Sequence, residues 1–123
     1  MVTTKAVGDD GEARALAHLQ RHGLTLVQRN YRVAAGPRAR GGEIDLILRD
    51  RDGTLVFVEV KTRHGAANFG GAAATVGIAK QRSLVLAAQH FLRAYATPPA
   101  CRFDVVAIDG DALVWLPAAF DAY

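Results

Sequence analysis

Four charged residues interrupt two apolar stretches of the sequence, 42–48 and 55–61, and are its clearest candidates for chemistry. They are Glu43, Asp45, Glu59 and Lys61. Both stretches are otherwise rich in Ile, Val and Leu, which is typical of β-strands, and Arg51-Asp52-Gly53 lies between them. The sequence therefore predicts a β-hairpin with a three-residue loop and with Gly53 at positive φ.

The register of this hairpin brings the charged side chains together. Side chains alternate across a strand, so counting back from the loop places Asp45 opposite Glu59 and Glu43 opposite Lys61, all on one face. Directly opposed residues have Cβ atoms about 5 Å apart. Two carboxylates at that distance repel each other, so we expect either a proton on one of them or a cation between them.

Paired carboxylates beside a lysine are suited to metal-assisted hydrolysis of a phosphodiester bond. Mg²⁺, or Mn²⁺ in its place, takes hard oxygen ligands and binds through one or two carboxylates together with water and substrate phosphate. The alternative is a solvent-facing hairpin with alternating charges, or a simple ion pair between Glu43 and Lys61. We favour the metal site because both faces of these strands are largely apolar, as in a sheet covered on both sides.

The residues of this hairpin resemble the signature of the PD-(D/E)xK nucleases of the restriction-endonuclease-like superfamily. Asp45 matches the first acidic position, and Glu59-Val60-Lys61 on the next strand matches the ExK element. Ile44 stands where the signature has a proline, a position at which members of the superfamily often depart from it.

A longer, ordered set of segments resembles the YraN-type family of small uncharacterised bacterial proteins, which is assigned to the same superfamily. The matching segments are Gly11-Glu12-x-x-Ala15, Arg29-Asn30-Tyr31-Arg32, Gly42-Glu43-Ile44-Asp45-Leu46-Ile47, Val56-Phe57-Val58-Glu59-Val60-Lys61-Thr62-Arg63 and Arg102-Phe103-Asp104-Val105-Val106-Ala107-Ile108. They run through nearly the whole chain in the same order, which makes the resemblance specific.

The remaining elements place the hairpin in a single domain of residues 1–123. The pattern predicts a helix from about 9 to 21, three strands, a helix from about 75 to 95 and two more strands. The first three strands form an antiparallel meander, and the second helix crosses over so that strand 102–108 lies parallel to strand 55–61. This is an α/β fold with a mixed central β-sheet flanked by helices, the restriction-endonuclease-like core that the resemblance implies.

The resemblance also implies roles for individual residues. Asp45 and Glu59 would bind the metal, helped by the backbone carbonyl of Val60 and by Glu12 from the first helix, and Lys61 would be the catalytic lysine. By its spacing alone, Glu12 fits equally well as an acidic residue that favours the N-terminal dipole of its helix.

Basic residues near these strands suit a polyanionic partner, and the chain carries a net charge of +3. Phosphate contacts add affinity through counterion release. The candidate nucleic-acid-binding residues are Arg32, Arg40, Arg63, Lys80 and Arg82. Each of them fits equally well as a solvated surface charge, and Lys80 could snorkel from a buried helix stripe.

These observations predict a metal-dependent nuclease that acts on nucleic acid, with DNA favoured. A similarity to archaeal Holliday-junction resolvases, which share the compact build, points to branched or structured DNA and to a homodimer. The alternative is a non-catalytic nucleic-acid-binding module with a nuclease-like fold. The paired carboxylates beside Lys61 argue against that alternative, because a binding module has no need to bury like charges.

Three further expectations come from the rest of the chain. There is no apolar run of membrane-spanning length and a single cysteine, so we expect a cytoplasmic protein with no membrane partner and no internal disulfide. We expect the glycine- and alanine-rich segment 62–77 to become ordered on substrate. We interpret Asp104, inside the apolar run 102–108, as a structural residue bonded to a neighbouring arginine.

Overall fold

The structure, a computed structural model, describes residues 4–63 and 76–122 of the 123-residue chain, and side chains from residue 10 onward. The prediction for segment 62–77 therefore lies mostly outside the described residues. The elements in chain order are α1 (Thr4–Arg21), β1 (Thr25–Val33), β2 (Gly42–Arg49), β3 (Leu55–Arg63), α2 (Ile78–Leu92), β4 (Cys101–Asp109) and β5 (Ala112–Phe120).

The five strands form one mixed sheet in the order β1-β2-β3-β4-β5. The pairs β1–β2, β2–β3 and β4–β5 are antiparallel, whereas β3 and β4 are parallel and are connected through α2. The predicted meander, crossover helix and mixed α/β sheet are confirmed. Neither helix in the described part of the chain has the length and apolarity needed to cross a membrane.

Each helix covers one face of the sheet, because alternate side chains of the central strands point to opposite faces. The buried apolar residues on the α1 side are Ala15, Leu19, Leu24, Leu46, Leu48, Val56, Val58, Val106 and Ile108. Those on the α2 side include Ile44, Ile47, Leu55, Phe57, Leu84, Ala87, Ala88, Phe103 and Val105. The sheet is therefore covered on both sides, as the apolar strands predicted.

The β2–β3 hairpin has the predicted loop and register. The N–H of Asp50 donates to the carbonyl oxygen of Thr54 at 2.9 Å, and Gly53 has a φ of 91°. The ladder then runs from Arg49–Leu55 to Leu46–Val58. Only a residue without a Cβ adopts such a φ at little cost, so Gly53 fixes the register from the loop end.

Asp104 has the structural role that the sequence indicated. Its side chain is fully buried on β4, and Arg102 Nε donates to its Oδ1 at 3.0 Å. Two further donors complete the set, Nε1 of Trp115 at 2.9 Å and the backbone N–H of Ala118 at 2.9 Å. A buried carboxylate with this many donors stabilises the β4–β5 pair.

Gly42, the first residue of β2, lies directly against α2. A Cβ on Gly42 would lie 2.5 Å from the carbonyl oxygen of Ser83, closer than real Cβ contacts allow. The next N–H in the chain, from Glu43, donates to Oγ of Ser83 at 3.2 Å. The missing side chain therefore lets the beginning of β2 approach the helix backbone.

We predict that Gly42→Ala destabilises the protein by about 1–3 kcal/mol, because the added methyl group must push β2 and α2 apart. Chemical denaturation measures this difference. Gly36→Ala is the matched control, since a Cβ there would meet nothing nearer than the Cβ of Ala39 at 3.9 Å. Equal stability of the two variants would contradict the close approach.

Candidate active site

The candidate site lies where β2 and β3 separate. Their ladder ends at the pair Leu46–Val58, one step before Asp45 and Glu59 would pair. On its other edge β3 stays paired with β4 as far as Arg63 and Asp109. The two predicted carboxyl groups therefore meet at the start of a gap between neighbouring strands.

A bend in β2 produces this separation. Leu46 packs on the α1 side of the sheet, but Ile44, two residues earlier, packs on the α2 side. In a flat strand these two side chains would share one face. The β1–β2 register places Asn30 opposite Asp45, and Asn30 has a φ of 52°, so both strands change direction at this level. The bend turns the beginning of β2 away from β3 and towards α2.

The side chain of Asp45 accepts a hydrogen bond from the backbone of β3 beyond the end of the ladder. Its Oδ2 accepts a hydrogen bond from the backbone N–H of Val60 at 2.8 Å. The side chain of Glu59 is 8% exposed, and its carboxyl group is hydrogen-bonded to Asp45. The predicted contact between the two carboxyl groups is thus present, across the gap rather than within the ladder.

This contact requires a proton between the carboxyl groups over much of the pH range. Burial, followed by the hydrogen bond and the negative charge of Asp45, raises the pKa of Glu59 to about 8, against the opposing effect of Lys80. A carboxyl pair that holds a proton at neutral pH is the arrangement in which a cation can replace that proton.

Lys80, in the first turn of α2, joins Glu59 to a third carboxylate. Its Nζ lies 3.2 Å from Oε2 of Glu59 and 3.3 Å from Oε1 of Glu43. Burial lowers the pKa of Lys80, but Glu59 and Glu43 outweigh it and the net shift is upward. Arg32 follows on the outside, with Nε 3.5 Å from Oε2 of Glu43. The described site is a row of alternating charges.

The surroundings of Glu43 differ from the prediction. Strand periodicity predicted that Glu43 pairs with Lys61 in the ladder, but this pair is not formed because the ladder ends at Leu46–Val58. Glu43 instead pairs with Arg32 and Lys80. The sequence does indicate that Lys80 can reach the site, because Lys80 lies one turn before the buried Leu84 on the sheet-facing stripe of α2.

Lys61 and Arg63 line a cleft of about 370 Å³ next to the carboxyl pair. The cleft is bounded by Glu59, Val60, Lys61, Thr62, Arg63, Val76, Gly77 and Lys80. Burial, followed by the charge of Arg63, lowers the pKa of Lys61, against the opposing effect of Glu59. The ExK glutamate and lysine thus open into one basic cleft, as their spacing on one strand predicted.

Glu12 lies on α1, which covers the other face of the sheet from α2. Its side chain is 15% exposed, with Oε1 buried and 4.0 Å from Nη2 of Arg29. The described residues contain no group of three or more His, Cys, Asp or Glu side chains arranged to hold a metal ion. Glu12 is half-buried, and its part in metal binding stays a prediction.

The remaining basic residues lie at different distances from the carboxyl pair. Arg40 is exposed in the connection between β1 and β2. Arg82 is exposed on α2 and lines a separate groove with Ile78 and Asp121. Of the five predicted phosphate contacts, Arg32, Arg63 and Lys80 border the candidate site, whereas Arg40 and Arg82 have no described contact with it.

The donor set fits a divalent cation with hard oxygen ligands. Mg²⁺ binds through one or two carboxylates and keeps several waters, so the pair Asp45 and Glu59 is sufficient without a third protein carboxylate. The proton that this pair must otherwise share is a position that a cation can take. Val60, whose backbone carbonyl the resemblance implies as a further ligand, lines the same cleft.

We predict that Glu59 makes the metal-free protein less stable as pH rises. Its folded-state pKa of about 8 exceeds its ordinary value of 4.5, so the folded state binds the extra proton between these values. Stability from this group is therefore complete below about pH 4.5 and is lost as pH rises through 8. Urea denaturation in the presence of a chelator should show that the free energy of unfolding falls by roughly 2–4 kcal/mol as pH rises across this interval. The Glu59→Gln variant should not show this fall.

Asp111→Asn is the control for this measurement, because Asp111 is an exposed carboxylate in the β4–β5 turn. It should keep the wild-type slope of stability against pH. If the free energy of unfolding has the same pH dependence in wild type and Glu59→Gln, Glu59 ionises in its ordinary range and the prediction is wrong.

Comparison with known proteins identifies the family of this chain. The family model of the Uncharacterised protein family UPF0102 matches residues 11–108. The chain belongs to this family. The UPF0102 protein of Methylibium petroleiphilum is 70% identical over 122 residues, which cover 99% of each chain. The UPF0102 protein of Acidovorax sp. strain JS42 is 62% identical, over 98% of this chain and 88% of its own.

A solved structure shares the fold of this UPF0102 protein. The crystal structure of SSO0001 superposes with a TM-score of 0.51 at 18% sequence identity, over 94% of this chain. The superposed region is 52% of that protein, so the chain spans about half of its length. This similarity concerns the fold and supports the mixed α/β sheet between two helices.

Proposed function

We propose that this UPF0102 protein is a Mg²⁺- or Mn²⁺-dependent nuclease of the PD-(D/E)xK type. The observation that carries the proposal is the buried contact between the carboxyl groups of Asp45 and Glu59 at the separation of β2 and β3. A pair of like charges that lies in a cleft next to a lysine costs stability, and such costs are concentrated at functional sites. The residue order along the chain matches the signature of that superfamily.

In this proposal Asp45 and Glu59 hold the metal, with the carbonyl of Val60 and Glu12 as the further ligands implied by the resemblance. The bound cation would acidify a water molecule and neutralise charge on the phosphate. Asp45 is held for this task by the N–H of Val60, which donates to its Oδ2 at 2.8 Å. The β3–β4 pairing keeps Glu59 and Val60 in place.

Lys61 positions the attacking water or donates to the phosphate oxygens as negative charge develops on them. It lines the same cleft as Glu59, and its lowered pKa, caused first by burial, makes its ammonium group a better proton donor than that of an exposed lysine. Neither role needs movement of the strand.

The proposed substrate is DNA in a branched or otherwise structured form. Arg63 lines the cleft, and Arg32 contacts Glu43 beside it. Both can contact phosphates on either side of the scissile bond. Arg40 and Arg82 would extend this contact beyond the cleft. The preference for branched DNA and a homodimeric assembly rest on similarity to the resolvases, which is an argument from fold.

We predict Mg²⁺- or Mn²⁺-dependent cleavage of at least one substrate in a panel of labelled nucleic acids. The panel contains duplex, single-stranded, flap and four-way-junction DNA, and RNA. Asp45→Asn and Lys61→Ala should each lower the cleavage rate by about 100-fold or more, because each removes a group that acts on the charged transition state. Single-turnover cleavage assays measure the rates.

Asp111→Asn and Arg93→Gln serve as controls, since both residues are exposed outside the cleft. They should cleave at the wild-type rate. Binding of the panel without cleavage, unchanged in Asp45→Asn and Lys61→Ala, would overturn the nuclease and favour a nucleic-acid-binding module.

A further inference from the structure

The ammonium group of Lys80 lies where a cation is expected at a carboxylate site. It contacts Glu59 and Glu43 at 3.2 and 3.3 Å, and its side chain is 38% exposed, so it reaches the carboxylates from the solvent side. Among the described residues, Glu59 thus contacts the carboxyl group of Asp45 and the ammonium of Lys80. Lys61 reaches the same cleft from β3, whereas Lys80 comes from α2.

We propose that Lys80 is a built-in counterion that lowers the affinity of the site for Mg²⁺ and is displaced from Glu59 when metal and nucleic acid bind together. This inference rests on the proposed function, because it concerns the same carboxylates. Lys80 is therefore a positioning residue, which acts through Glu59.

Electrostatics gives the direction of the effect. A divalent cation shared by Asp45 and Glu59 would lie within a few ångströms of the Lys80 ammonium, and like charges at about 4 Å repel strongly even in a partly solvated site. Each fixed positive charge that stays there weakens metal binding. Because α2 is anchored through Ser83 and the close approach of Gly42, Lys80 can leave Glu59 only by rotating its own side chain.

A phosphate group gives the displaced ammonium a new partner. The side chain is long and partly exposed, so it can turn from Glu59 to a phosphate in the cleft without movement of the helix. Nucleic acid would then strengthen metal binding, and metal would strengthen nucleic-acid binding by the same factor. The site would bind its metal firmly only when substrate is present.

The test is a Mg²⁺ titration of the full chain without nucleic acid, in which the thermal unfolding temperature is measured at each Mg²⁺ concentration. The titration is repeated at several pH values up to about 9, so that competition from protons at the carboxyl pair is separated from the effect of the Lys80 charge. Lys80→Met, which keeps the aliphatic stem but removes the charge, should bind Mg²⁺ about tenfold more tightly than wild type. Lys80→Arg keeps the charge and should stay near wild type, as should the control Arg93→Met, whose side chain is exposed at the end of α2.

A second arm adds a phosphorothioate oligothymidylate, which supplies phosphates and resists cleavage. It should raise the Mg²⁺ affinity of wild type more than that of Lys80→Met. Equal or weaker Mg²⁺ binding by Lys80→Met in the first arm would overturn the inference, and an equal increase in the second would overturn the coupling.

Asp45→Asn separates failure of this inference from failure of the proposed function. If Asp45→Asn abolishes a Mg²⁺ response that Lys80→Met leaves unchanged, the metal site stands and the role of Lys80 is wrong. If wild type, Lys80→Met and Asp45→Asn respond to Mg²⁺ alike, the metal site itself is wrong.

Discussion

The structure depends on one unfavourable contact, that between the carboxyl groups of Asp45 and Glu59. Two like charges are held together in a place where water is largely excluded, which the fold can maintain only with a proton or a cation between them. The surrounding elements make this contact possible. The bend in β2, the missing side chain of Gly42 and the continuous β3–β4 pairing keep the two strands apart at this level.

The described part of the chain contains a second buried carboxyl group, Asp104, whose surroundings differ from those of Glu59. Asp104 accepts hydrogen bonds from the side chains of Arg102 and Trp115 and the backbone N–H of Ala118. Glu59 is also buried, but its contacts among the described residues include another carboxyl group and the partly exposed Lys80. The donors around Asp104 stabilise the sheet, whereas the contact between two carboxyl groups at Glu59 is the feature on which we base the proposed metal site.

Local rules predicted much of the fold. The Asp-Gly turn at Gly53 fixed the hairpin register, and the apolar alternation of the strands predicted a sheet that is covered on both faces. The register in turn predicted that Asp45 meets Glu59. These features depend on φ preferences and on the period of two in a strand, both of which can be read from neighbouring residues.

The rest of the site depends on packing between distant segments. The ladder ends before Asp45 because β2 approaches α2 at Gly42 and Ser83, which are 41 residues apart in the sequence. This approach, which strand periodicity cannot predict, moves Glu43 from the ladder to Lys80 and Arg32.

The most direct test is anomalous diffraction from crystals of the wild-type protein soaked in Mn²⁺. Our account predicts an anomalous peak in the gap between β2 and β3, within about 2.0–2.3 Å of a carboxylate oxygen of both Asp45 and Glu59, and no peak there in Asp45→Asn. A well-ordered site that shows no peak in the wild type, or a peak that Asp45→Asn retains, would contradict the assignment of this carboxyl pair as a metal centre.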